Sequence, residues 1–229
     1  MEGLFFVKHE RVAFITDNNT HYTDIYGNEI KSESSGIEIV LNNSSYGVKI
    51  EIGKNVVGKT KINVFGSGVT IKIEDDCKFK NQYIVGDAGT EIHIGAGSTF
   101  NHDCNFGASS GWNIDIGKDC MFSFDVVIQA GDSHALFLLD TKKRYNLADS
   151  NKNIVKLGDH CWVGLRTTIL GHTEIGNGCV IGAGSLVKGK FKQFSVIAGN
   201  PAKIVKENMA WSRDNASEDF SDCGDVYDS

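Results

Sequence analysis

Residues Leu157 to Phe191 read LGDHCW VGLRTT ILGHTE IGNGCV IGAGSL VKGKF when cut every six places. Leu157, Val163, Ile169, Ile175, Ile181 and Val187 head the six lines, and Cys161, Thr167, Thr173, Cys179 and Ser185 stand four places behind the first five. A helix would repeat its apolar residues every 3.6 places and a half-buried strand every two, so this stretch is a repeat in its own right. One aliphatic and one small side chain per six residues suit one flat face of a three-sided coil. The aliphatic fills the interior, the small residue fits near the corner, and Gly158, Gly164, Gly176 and Gly182 tolerate turn dihedrals. Three such units close a coil, and stacked coils bury an apolar column that no single coil could bury.

Working upstream, Val48–Gly53, Val69–Glu74, Thr90–Gly95 and Trp112–Gly117 are four copies of one strand, with Ile52, Ile73, Ile94 and Ile116 spaced 21, 21 and 22 residues apart. An ideal coil needs eighteen, so these coils carry extra residues that bulge at a corner. Phe100, Phe106 and Phe122 take inward places. The count is about four loose coils followed by two tidy ones. Residues 1–45 lack the phrase and read as a β cap or arm, with strands at Leu4–Thr16 and His21–Ile30, a turn at Tyr26-Gly27-Asn28 and a linker at Ser32–Gly36. The phrase also breaks from Gln129 to Lys156, where a loop holds Asp132-Ser133-His134 and a polar run; a loop of that length in a solenoid carries function or is disordered. Glu207–Arg213 reads as a short helix, and the acidic tail to Ser229 as a disordered or contact-making segment. The domain plan is therefore a cap over 1–45, a solenoid over 46–206 with a loop at 129–156, and a helix with tail over 207–229.

Composition narrows the classes. The 229 residues include 26 glycines and one proline, as a turn-dense β protein would, and the net charge of -6 offers no basic stripe for nucleic acid. Lys8, His9, Glu10 and Arg11 interrupt the first apolar run, so no signal peptide is expected, and no apolar stretch approaches the ~20 residues of a membrane span. Cys77, Cys104, Cys120, Cys161 and Cys179 all take the small-residue place of the repeat, which makes them buried hydrophobes in a reducing, cytoplasmic setting rather than a disulfide framework or zinc site.

These residues resemble the hexapeptide-repeat acyltransferases, over Val48 to Arg213. The resemblance is carried by Asp132-Ser133-His134, Ile154 to Gly164, Ile181-Gly182-Ala183-Gly184-Ser185 and Ala198 to Val205. The stretch from Phe191 through Asn208 to near Trp211, with Lys143-Arg144-Tyr145-Asn146 in the loop, is similar to the polysialic acid O-acetyltransferases of bacterial capsules. Ala135 departs from that subgroup, which has proline after the loop histidine. The resemblance implies an all-β, left-handed parallel β-helix, a homotrimer with sites between subunits, acetyl-CoA as donor and a sugar or polysaccharide as acceptor.

Within it, His134 is the expected base, since neutral imidazole accepts a proton near physiological pH; the plainer reading is a solvated loop histidine. Asp132 could orient that ring, as could a backbone carbonyl. Trp162 faces outward, where the resemblance puts an indole N–H beside the thioester and composition alone would allow an interface aromatic. Gly164, Ala183 and Gly184 would let a pantetheine arm lie close to the backbone. Lys203 would meet phosphate, with Lys188 and Lys190 either doing the same or remaining solvated. Arg144 would hold an anionic acceptor or form a local ion pair. No serine or cysteine with an adjacent base suggests a covalent acetyl-enzyme. Three other readings stand beside this one: transfer to a nucleotide sugar or other small molecule, a trimeric metal-dependent hydratase using His102, His160 and His172, with His160 and His172 on one face, and a non-catalytic solenoid.

Overall fold

The computed structural model describes residues 11–146 and 153–223. The chain winds as a left-handed parallel β-helix with three faces. The first face stacks β4 (Ile37–Leu41), β6 (Thr60–Val64), β8 (Gln82–Gly86), β11 (Asn105–Ala108), β14 (Val127–Ala130) and the leading halves of β17 (Thr168–Ile175) and β19 (Leu186–Phe191). The second stacks β3 (Glu29–Ser32), β5 (Lys49–Ile52), β7 (Thr70–Ile73), β9 (Glu91–Ile94), β12 (Asn113–Ile116), β15 (Ile154–Leu157) and the trailing halves of β17 and β19. The third stacks β10 (Thr99–Phe100), β13 (Met121–Phe122), β16 (Trp162–Val163), β18 (Val180–Ile181) and β20 (Ser195–Gly199), closed by an antiparallel β21 (Ala202–Glu207). The β17 and β19 strands bend around one corner, which is why the first two faces form one continuous sheet.

Register follows the repeat. Ile52, Ile73, Ile94, Ile116, Leu157 and Ile175 stack directly on one another along the second face, all buried. Each buried aliphatic stabilises by roughly 1.5–3 kcal/mol. Phe100 stacks on Phe79 and Phe122 with ring centroids 5.0 and 4.7 Å apart, filling the third face where the coils are longest. The corners repeat as strictly as the faces. Between the second and third faces, Asn55, Asp76, Asp119, His160 and Phe194 all take positive φ. Asn and Asp tolerate that conformation best among residues with a side chain, and His160 and Phe194 are held there by the ladders on either side. The bulges of the longer coils lie between the first and second faces, where Gly47, Gly68, Gly89 and Gly111 turn the chain at φ of 60 to 72°.

Outward on the second face runs a row of charge that alternates except where Lys72 meets His93. Lys31, Glu51, Lys72, His93, Asp115, Lys156, Glu174 and Lys190 are successive ladder neighbours. Opposite charges at adjacent rungs favour the observed register, each pair contributing a fraction of a kcal/mol in solvent.

Three expectations change. Parallel stacking starts at β3 and β4, inside residues 1–45, and seven full coils form rather than six. The Ser32–Gly36 segment is the reason: Ser34 is buried and its hydroxyl donates to the Gly53 carbonyl, so a sequence without the six-residue phrase still turns one coil. The cap reduces to β1 (Val12–Ile15) and β2 (Thr20–Thr23), antiparallel to β4 and β3. The expected strand at His21–Ile30 is two strands of a hairpin, whose turn the Asp24 carboxylate holds by accepting from the Tyr26 and Asn28 amides. Residues 207–213 form no helix. β21 consumes the segment up to Glu207, and a seven-residue helix is marginal in isolation; among the described residues that follow, a 3-10 turn forms at Phe220–Cys223. The expected strand portion at 4–10, the loop portion at 147–152 and the tail at 224–229 lie outside the described residues.

Candidate active site

The loop leaves the solenoid at the corner between the first and second faces, from Gly131, which takes φ 85°. A Cβ there would run into the Trp112 indole, as it would at Gly171 one coil further on. Trp112 is thus clamped between two glycines and packs edge-on to His172, 4.6 Å away. The loop folds back as an irregular hairpin: Phe137 bridges Arg144, and the Tyr145 amide donates to the Leu136 carbonyl at 2.7 Å. Asn146 ties it shut. Its amide nitrogen donates to the Asp132 carboxylate at 3.0 Å and the His134 carbonyl at 2.7 Å, and its oxygen accepts from the Leu136 amide at 2.8 Å and Arg144 Nε at 3.3 Å. Beside the loop lies a cleft of about 360 Å³ lined by Trp112, Gln129, Asp132, Asn146, His172 and Lys188, among others.

The expected site residues fall into two groups. His134, Asp132, Arg144 and Lys188 gather at this corner. His134 is exposed at the rim, and among the described residues its ring makes no hydrogen bond; Asp132 gives its carboxylate to Asn146 instead of to that ring. Trp162, Gly164, Ala183 and Lys203 gather on and beside the third face. Trp162 is 40% exposed. A Cβ on Gly164 would meet the Ala183 nitrogen at 2.7 Å, Gly182 abuts Ala198, and Lys203 pairs with Ala198 across β20 and β21. Because a corner of a prism lies opposite its third face, one chain cannot bring the two groups together. Lys190 joins neither: it pairs with Glu174 at 2.7 Å on the second face.

The three histidines of the hydratase reading sit at three different corners. His102 stacks on Phe124 between the third and first faces, His172 lies by Trp112, and His160 is buried between the second and third. His160 and His172 therefore do not share a face. Both ring nitrogens of His160 meet oxygen acceptors, Asp119 Oδ2 at 2.6 Å and the Trp211 carbonyl at 3.0 Å.

Sequence reasoning passed over Trp112, Gln129 and the bracing role of Asn146. Trp112 had a signal: the three upstream copies of its strand begin Val48, Val69 and Thr90, so an indole in that slot is the outlier.

Two family profiles match the coils, the bacterial transferase hexapeptide (six repeats) over residues 154–189 and the hexapeptide repeat of succinyl-transferase over 102–131. The polysialic acid O-acetyltransferase of Neisseria meningitidis is 32% identical over 184 residues, covering 80% of this chain and 81% of that protein. The chain belongs to the hexapeptide-repeat acetyltransferases. The polysialic acid O-acetyltransferase of Escherichia coli O1:K1 is 31% identical over 152 residues, 66% of this chain and 48% of that protein. The solved structure of the polySia-specific acetyltransferase NeuO superimposes with a TM-score of 0.71 at 29% identity, covering 84% of this chain and 92% of that one. The chain spans about half the length of the first curated relatives it matches.

Proposed function

We propose that the chain is an acetyl-CoA-dependent O-acetyltransferase that acts, as a cytoplasmic homotrimer, on a hydroxyl of a bacterial surface polysaccharide, with sialic acid as the first acceptor to try. The observation that carries the reading is the separation of its residues into two groups on opposite sides of the prism. A base on one side and a coenzyme groove on the other make a working site only where two copies meet, which a closed ring of three supplies. The similarity to polysialic acid O-acetyltransferases supports the acceptor class.

In this mechanism the acceptor hydroxyl gives its proton to the neutral His134 imidazole while its oxygen attacks the thioester carbonyl carbon. The tetrahedral oxyanion meets the indole N–H of a neighbouring copy's Trp162 and a backbone N–H. Collapse breaks the C–S bond, and the coenzyme sulfur takes the proton back from His134, leaving an acetyl ester and free thiol. Asp132 and Arg144 contact the acceptor. Gly164 and Ala183 give the pantetheine arm close access to the backbone, and Lys188 and Lys203 meet the phosphates.

Release of free thiol from acetyl-CoA, measured over a panel of polysialic acid, free sialic acid, nucleotide sugars and unrelated glycans, tests the reading. Polysialic acid should accelerate release most; a nucleotide sugar outpacing every polymer would transfer the assignment to small molecules. The His134→Ala variant should lose turnover by ~10²-fold or more with coenzyme affinity nearly unchanged. Full turnover in that variant removes the base.

A further inference from the structure

Past β21 the chain doubles back along the corner between the second and third faces and is fastened rung by rung. Asn208, at φ 54°, makes the turn, and the Met209 amide donates to the Phe194 carbonyl at 3.0 Å. Trp211 lies flat on the His160 imidazole, with centroids 4.0 Å apart and planes 12° apart, and its indole N–H donates to the His160 carbonyl at 2.8 Å. Arg213 ends the run: Nε donates to Asp119 Oδ1 at 2.7 Å, Nη2 to the Asp119 and Cys120 carbonyls at 3.0 and 3.2 Å, and Nη1 to Thr99 Oγ1 at 3.0 Å. Phe194, His160, Asp119 and Thr99 belong to coils from the last of the solenoid down to its middle. Coils ~4.8 Å apart and an extended chain rising ~3.3 Å per residue make six or seven residues the length that spans them.

The strap has one neighbour in the chemistry. Trp162 stands two residues after His160, and the Trp211 ring lies 5.9 Å from it, tilted by 45°. Trp211 is buried whereas Trp162 is 40% exposed, with Met121 and Val180 as its ladder neighbours. On an open sheet face a half-exposed indole would sample several rotamers, and an N–H that must meet an oxyanion can afford little of that freedom.

We propose that the strap of residues 208–213 is a positioning device for the reaction, in which Trp211, locked onto His160 and anchored by Arg213 on Asp119, holds the Trp162 indole in one orientation. Trp211 touches no reacting atom in this scheme; it acts through Trp162. The inference rests on the reading of Trp162 as part of the coenzyme side of the site.

The test uses the full chain with Trp211→Ala, Trp211→Phe, Arg213→Ala and Trp162→Ala, each assayed for kcat and for KM toward acetyl-CoA, together with the exciton couplet of the two neighbouring indoles in circular dichroism. Trp211→Ala should lower kcat about tenfold with a smaller change in KM and should abolish the couplet. Trp211→Phe, which keeps a ring on His160, should recover most of the lost kcat. Wild-type kcat in Trp211→Ala beside an impaired Trp162→Ala overturns the strap's role alone. Wild-type kcat in Trp162→Ala overturns both the coenzyme-side reading and this inference. Should Trp211→Ala not fold, Arg213→Ala decides, because it frees the strap's end and leaves the stack: a reduced kcat supports the device and an unchanged one overturns it.

Discussion

Single side chains close loops here that the backbone leaves open. Asn146 alone joins Asp132, His134, Leu136 and Arg144, and an exposed loop has no packed core to replace such a brace. Asn146→Ala should therefore lower turnover by roughly tenfold while leaving the melting temperature near that of the wild type, since the solenoid ladders do not depend on it. A matched loss of melting temperature would make Asn146 a structural residue instead. Asp119 permits a different test. Burial alone would raise its carboxyl, but the His160 hydrogen bond and the Arg213 guanidinium outweigh that and hold it below the usual range. A depressed carboxylate stabilises the fold above its unfolded value, near ~4, and loses that contribution as pH falls through the folded value. Melting temperature against pH should fall less steeply below about pH 4 in Asp119→Asn than in the parent. Equal slopes would show that the carboxylate is not coupled to folding.

Among elements, the rows of small residues at the heads of the third face, with Cys77, Cys120, Cys161 and Cys179, and of the first face, with Cys104, are the most diagnostic. Burial pushes Cys77 up to about 12 and Cys104 up to about 11. Cys161 rises well above its ordinary range through the hydrogen bond with the Cys120 thiol and through burial, and Cys179 rises by burial. Thiolate is the reactive form, so these side chains should resist alkylation. Mass spectrometry after iodoacetamide treatment near pH 8 should find label at Cys223 in the folded protein and at all six cysteines after denaturation; native label at Cys161 would show that the column opens. These rows were legible in the sequence, because period six placed Cys77, Cys104, Cys120, Cys161 and Cys179 in them. The same periodicity found the faces but not all the coils. Around Ser34 a coil is turned by a hydroxyl bonded to the next rung, and a hydrogen bond of that kind leaves no mark on hydrophobic spacing. Loop and strap were half legible. His134, Arg144 and Asn146 are visible as a group, whereas the C-terminal segment reads as a helix because its partners, His160 and Asp119, lie 51 and 94 residues away in the chain.

At the scale of the whole molecule, the proposed two-copy site, with the His134 corner opposite the Trp162 face, makes assembly a testable condition of activity. Sedimentation should give three times the mass of the 24.9 kDa chain. Inactive His134→Ala and Trp162→Ala chains, unfolded and refolded together, should regain roughly a quarter of wild-type activity, because random mixing pairs an intact histidine with an intact tryptophan at that frequency. No regain on mixing would place both residues in one chain's site and undo the two-copy scheme.

On either side of the loop's excursion, β14 stacks on β11 and β17, and β15 on β12 and β17, in unbroken register. The spiral is therefore indifferent to what is spliced in after Gly131, provided the two ends return to the same corner. Under the proposed function, acceptor preference would drift by exchange of that one cassette while the Trp162 face stays untouched, and a chimera carrying a relative's cassette should inherit the relative's taste for sugars.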